Sequence, residues 1–300
     1  MTSLYYQLNE VDTHDYNAVS FAIVSTLLRA WPEVEAYYVP RLIHDVHHLF
    51  DGEFLEVQPM DTRYHDLEHT LQASLCFTRI MVQRHLCGVS PIIDPEDFKL
   101  GLIAVALHDT GYLKSISDHE GTGAKFTRVH EQRSCQYAAR YLQKFDFDGF
   151  SIDAIQKMIR CTGPFSDIAS IEFPNGKYRI MGQAVCTADY ISQMSDKHYV
   201  GKLYHLYEEF EESDDYNGVP KKERVFAHFE DLLAKTPDFW EKIVKPRMEI
   251  ECDGLWEYLT LENGANPYCE SIERNIEEVR GLNHDGAYPF DHERKAGLSA

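Results

Sequence analysis

Apolar side chains recur three and four positions apart along most of the chain, the period of a helix with one buried face. The pattern predicts helices over residues 17–30, 66–86, 96–109, 126–145, 176–195, 199–212, 221–234, 236–250 and 267–280. Strict alternation, the mark of a half-buried strand, is nearly missing. Only residues 171–180, with their Asn175-Gly176-Lys177 turn, predict a short hairpin. Stops are legible at Pro32, at Pro91 and Pro95 with Asp94 as an N-cap, at Gly163-Pro164, and at Gly218 before Pro220. There is no internal repeat and no Pro- or Ser-rich linker. The expected fold is all-α, one multi-helix domain over residues 1–300. Its site-bearing core is expected at about 60–196, with helices of 15–50 and 199–280 packed around it and a loose tail over 281–300.

Composition narrows the function classes. The 300 residues are 44% hydrophobic and 26% charged, the balance of a folded, soluble chain with a sizeable core. Twenty-nine basic against 49 acidic residues give a net charge of −20, which repels nucleic-acid backbones and excludes a coating role there. The apolar run over 101–107 is far too short for a membrane span, and the first residues, MTSLYYQLNEVD, do not read as a secretory signal. Seven cysteines, an odd number without a CxxC pair, sit mostly among apolar neighbours and predict buried, reduced thiols. Together these predict a cytoplasmic protein.

Metal-binding side chains are concentrated in four segments. His65 and His69 in Tyr64-His65-Asp66-Leu67-Glu68-His69 are spaced to share one helix face. His108-Asp109 follows seven small or apolar residues, so the helix that delivers them must be buried. Val129-His130-Glu131 opens a further helix. Asp189 shares a stripe with Gly182, Val185 and Cys186 and so points inward. An ionised carboxylate at that depth costs several kcal/mol unless a cation accompanies it. His69, His108, Asp109 and Asp189 together offer two imidazoles and two carboxylates, a donor set that suits zinc, manganese, iron or magnesium better than calcium.

On a helical background, His69…His108-Asp109…Asp189 resembles the metal-binding signature of the HD-domain superfamily of phosphohydrolases, over roughly residues 64–194. Tyr64-His65-x3-His69 resembles more particularly the YHNxxH segment of class I cyclic-nucleotide phosphodiesterases, whose catalytic domain is all-helical. The resemblance implies hydrolysis of a small phosphorylated substrate such as a nucleotide, with two divalent ions. His69, His108, Asp109 and Asp189 would hold the first ion, and Asp109 would bridge to the second. His65 would be the general acid, and His130 with Glu131 would serve the second ion or orient His65. A homodimer is the base-rate expectation for such an enzyme.

The chain departs from the phosphodiesterase pattern at several points. Thr110-Gly111-Tyr112-Leu113 follows the HD pair where those enzymes have another Asp and His, Asp66 replaces the Asn of YHN, and no purine-holding glutamine and aromatic clamp is placed. Six-ligand HD proteins, including di-iron oxygenases, carry two further histidines. His130 fits the first of those slots, while the second falls at Cys161. Two alternatives therefore stand beside the hydrolase, a di-iron oxygenase and a non-catalytic HD signalling or interaction module.

The remaining candidates read more plainly. His44, His47 and His48 are expected at the surface or core edge. Lys114, Lys125, Arg128 and Arg160 are the basic candidates for a phosphate, and the polar loop 115–123 with His119 is expected to border the substrate mouth. GTGAK at 121–125 lacks the spacing of a phosphate-cradling loop. Tyr190 and Gln193 lie near Asp189, but helical phase alone does not say which way they face. The acidic run 208–215 reads as a solvated helix end and loop.

Overall fold

The computed structural model describes residues 11–164 and 166–285, and its fold is all-α. Ten α-helices are formed among these residues: α1 (Tyr16–Ala30), α2 (Tyr38–Phe50), α3 (Leu67–Leu86), α4 (Pro95–Leu107), α5 (His130–Gln143), α6 (Gly149–Ile159), α7 (Gly176–Ser195), α8 (Tyr199–Tyr216), α9 (Phe229–Phe239) and α10 (Pro267–Asp285). The only β pairing among the described residues is an isolated bridge between Val57 and Ser115. None of their helices is long and apolar enough to cross a membrane.

Helices α3 and α7 are central because neither has a polar face to give to solvent. Fifteen of the twenty residues in each are buried, and the two pack on one another. Their small hydroxyl residues tolerate this burial by bonding within the helix. Ser74, Thr78 and Thr187 each donate to the carbonyl four residues earlier at 2.8 Å. α4 lies against α3, α6 and α7, and α1 joins α2 to α3. α10 packs on α7 and α9, so the C-terminal elements close over the end of α7 that carries Asp189.

The expected hairpin over 171–180 does not form. Asn175 does not turn a hairpin; its side chain caps α7, accepting from the N–H groups of Lys177 and Tyr178 at 2.9 and 3.4 Å. Such a cap stabilises a helix by about 1 kcal/mol. The helix expected over 126–145 starts only at His130, after a 3₁₀ turn at Gly123–Phe126. Residues 221–234 likewise divide into a 3₁₀ turn and α9, which then continues through π-helical turns at Trp240–Val244 and Arg247–Glu251. Pro237 lies near the end of α9 and Pro246 between the two π turns, and the break expected between 234 and 236 does not occur. α6 matches none of the predicted stretches, since its buried residues Ala154, Ile155, Met158 and Ile159 are confined to its second half. The tail expected to be loose from 281 is helical to Asp285, and its remainder lies outside the described residues.

Candidate metal centre

The four inward-facing candidates are delivered by three local devices. Asp66 caps α3 by accepting from the His69 N–H at 2.9 Å, which fixes the backbone of His69 in the first turn. α4 drives its buried residues 101–107 into the core, and His108 and Asp109 follow directly where the chain leaves the helix. Asp189 sits on the buried stripe of α7.

These devices meet at one point. His69 Nε2 and His108 Nε2 are 3.3 Å apart, and Asp109 Oδ2 lies 3.3 and 3.2 Å from them. Asp189 Oδ1 lies 3.2 and 3.5 Å from the same two nitrogens. Each carboxylate therefore closes a three-atom face on the imidazole pair. Edges of roughly 3.3 Å are those between neighbouring ligands of one cation with bonds of about 2.0–2.2 Å. Asp109 Oδ2 is fully buried, and its approach to both nitrogens lacks the alignment of a good hydrogen bond. The His108 Nδ1–H donates to the Val105 carbonyl at 2.7 Å, which turns the Nε2 lone pair toward the cluster. His69, His108 and Asp109 lie close enough to share a divalent ion, while Asp189 approaches the same imidazole pair from a second face and stands apart from Asp109.

The electrostatics agree. Burial alone would lower the pKa of both histidines, but Asp109 and Asp189 more than reverse this, raising His69 to about 9 and His108 well above its ordinary value. Burial would raise the two carboxyls, and the imidazoles hold both far below the usual range. Without a metal the carboxylates favour the protonated form of both histidines. A divalent ion supplies the same positive charge and releases those protons.

Asp109 has a second face. Its Oδ1 lies 3.8 Å from His130 Nε2, and His130 Nδ1–H donates to Thr127 O at 2.8 Å. This closeness depends on Gly111, where an added Cβ would stand 1.9 Å from the carbonyl oxygen of His130. Only glycine lets the turn after Asp109 lie against the start of α5.

His65 is not on the helix face expected of it. It precedes the cap of α3, and its ring centroid is 6.1 Å from that of His69. Its Nδ1 is 2.6 Å from Glu209 Oε2, while Glu209 Oε1 accepts from the N–H groups of Arg63 and Tyr64 at 2.9 and 2.7 Å. Burial would lower the His65 pKa, but Glu209 outweighs it and the net shift is upward. Tyr112 stacks parallel to both His65 and His130, at 4.6 and 4.7 Å. Gln193 donates to Asp189 Oδ1 at 3.0 Å and accepts from Tyr64 O–H at 2.8 Å, orienting the carboxylate.

A cavity of about 170 Å³ opens at this cluster, lined by His65, Asp109, Tyr112, His130 and Asp189 at one end and by residues of α7, α8 and α9 elsewhere. Tyr190 and Gln193 both face it. His119 and the loop 115–123 are not among its lining residues, nor are Lys114, Lys125, Arg128 or Arg160. Lys114 pairs with Asp61 at 2.8 Å, Lys125 with Asp118 at 2.6 Å and Arg128 with Asp214 at 2.8 Å. Cys161 does not line the cavity either. Its thiol, pushed up by burial, donates to the Lys157 carbonyl of the preceding helix α6 at 3.5 Å. His44, His47 and His48 form a separate group along α2, tied to Asp51 and Glu53.

Sequence reasoning missed Glu209 and Tyr112. The acidic run was read as solvated, whereas Glu209 is buried and Glu212 accepts from Thr122. Spacing gives no sign of this, because both partners are distant in sequence. Tyr112 was registered only as a departure from a motif.

The sequence profile of the Npun_R2479-like family matches residues 53–280, a span that includes the whole cluster, Glu209 and the cavity walls. No curated protein matches the chain. With most of its length inside that profile, the chain belongs to the Npun_R2479-like family.

Proposed function

We propose that this protein is a metal-dependent hydrolase of small phosphate esters, as its resemblance to HD-domain phosphohydrolases implies. One observation carries the reading. A buried carboxylate oxygen, Asp109 Oδ2, stands 3.2–3.3 Å from two imidazole nitrogens without a well-aligned hydrogen bond, at the wall of a cavity that also holds the His65–Glu209 pair. His69, His108, Asp109 and Asp189 would hold one ion, and His130 with Asp109 Oδ1 would contribute to a second. When bound, such ions supply a water of lowered pKa and neutralise the charge of a phosphoryl group.

The chain's own groups complete the chemistry. Glu209 accepts the Nδ1–H of His65 and holds the ring's proton more tightly than in free imidazole. The other nitrogen, Nε2, is then the one left to protonate a departing ester oxygen. Tyr112, stacked on the ring, restricts its rotation and favours its cationic form. Gln193 keeps Asp189 aimed at the imidazole pair.

The test compares wild type with Asp109→Ala, by elemental analysis and by hydrolysis of a phosphate-ester panel after incubation with divalent ions. One or two zinc, manganese, magnesium or iron ions per chain are expected in wild type, with loss of metal and activity in the variant. Full activity in Asp109→Ala, or no metal in either protein, overturns the proposal.

A further inference from the structure

Resting on that reading, we infer that the ester's alcohol portion is a short aliphatic or single-ring group rather than a nucleoside. The cavity away from the cluster is walled by Tyr190 of α7, Leu203, Leu206 and Phe210 of α8, Phe226 of the following loop and Phe239 of α9. Its polar side chains are already engaged inside the chain. The Thr127, Thr162 and Thr236 hydroxyls donate to the carbonyls of Ala124, Ile159 and Leu232 at 2.6–2.9 Å. The Gln193 amide is taken by Asp189 and Tyr64. With the threonine protons spent, the threonine oxygens can only accept, and the donors left for the ring nitrogens and carbonyls of a base are tyrosine hydroxyls and the exposed Lys235 ammonium, so most of a base's edge would be seated unpaired against this wall.

Size and charge point the same way. About 170 Å³ is close to a cavity that holds benzene and below the roughly 300–1,000 Å³ typical of larger ligands. The one lysine or arginine among the lining residues is Lys235, which is exposed and bonded to the Val225 carbonyl at 2.5 Å. Against Asp109, Asp189 and the nearby Glu209, that leaves no cationic clamp for a polyphosphate. A single phosphoryl group at the cluster and an apolar body in the pocket satisfy both ends.

The test is calorimetric titration of the metal-incubated protein with phenylphosphonate, AMP and inorganic phosphate, alongside hydrolysis of phenyl phosphate, 3′,5′-cyclic AMP and AMP. Phenylphosphonate is expected to bind at least tenfold more tightly than inorganic phosphate, and AMP no more tightly than phosphate. Leu206→Asn, which adds polarity without charge, is expected to bring phenylphosphonate down toward the affinity of phosphate, with phosphate binding read alongside as the control for the cluster. Phe239→Ala, at a more exposed position, is expected to cause a smaller loss in the same direction. Tighter binding or faster hydrolysis of the nucleotides, or unchanged phenylphosphonate affinity in both variants, overturns the inference while leaving the hydrolase intact. Absence of binding and hydrolysis for every compound overturns both.

Discussion

The cluster end of the cavity and its α8–α9 wall are built on opposite terms. At the cluster, His69, His108, Asp109 and Asp189 are each fixed by a short-range device, namely a cap, a helix end or a buried stripe, and their partners are one another. On the wall, Leu206, Phe210, Phe226 and Phe239 are gathered from two helices and a loop, and no short motif spells them. Reactive atoms need fixed spacing, whereas an apolar wall needs only shape and volume, which many sequences can supply. Reactivity and selectivity should therefore fail separately when each end is altered.

The largest separation is expected at His65. His65→Ala should leave bound metal unchanged and lower turnover by about 10²–10⁴, the usual worth of a general acid. Loss of metal together with turnover would show that His65 belongs to the ligand set and would break the division.

Glu209→Gln sharpens the comparison because Glu209 comes from the wall helix but acts on the acid. The amide keeps an oxygen for the N–H groups of Arg63 and Tyr64 and removes the charge that raises the His65 pKa. A loss of about 10–100-fold is expected, in line with outer partners of site histidines. The sign is fixed. With protonated His65 as the proposed acid, turnover declines as pH rises through its raised pKa, so this alkaline limb should move to lower pH in the variant. An unchanged pH profile would reduce Glu209 to a structural tie.

Gly111→Ala alters spacing without altering charge. With a Cβ 1.9 Å from the His130 carbonyl the turn must move, and overpacking of this kind costs about 1–3 kcal/mol. The denaturation midpoint should fall at constant m-value, with the His130 side of the site weakened before the His69–His108 side.

The smallest effect concerns pH and stability. The folded-state pKa of His69, about 9, lies above its ordinary 6.5. Its contribution to the metal-free protein is thus fully present below about 6.5 and is lost as pH rises through about 9. The Tm of metal-free protein should drop by a few degrees over that range, while the metal-loaded protein, whose imidazoles are already deprotonated, should not follow. Parallel curves would sink the assignment of these histidines as ligands.

The same contrast explains what was legible in the sequence. The helices, the convergence of His69, His108, Asp109 and Asp189, and the inward aim of Asp189 follow from periodicity and from the cost of burying charge. His65 is expected on one helix face with His69, but Asp66 caps α3 and leaves His65 just ahead of the helix. Asn175 was taken for a hairpin turn because Asn-Gly suits both turns and caps, and the helical residues after it decided the outcome. Glu209 was hidden in an acidic run, where only tertiary packing separates the buried carboxylate from its solvated neighbours. The four cations expected to meet a phosphate lie away from the cavity lining, and three are spent on Asp61, Asp118 and Asp214, since composition counts charges without showing their partners.

One helix, α8, carries both Glu209 and the wall residues Leu206 and Phe210, within two turns of each other. Glu209 also grips two successive backbone N–H groups beside His65. The seat and the proton carrier are thus mounted on one lever. With His65 as the proposed acid, a ligand too bulky for the pocket would push α8 outward, draw the carboxylate away from the imidazole and so disarm it. A body of fitting size leaves the pair closed. On the proposed reading, oversized esters would lose turnover as well as binding.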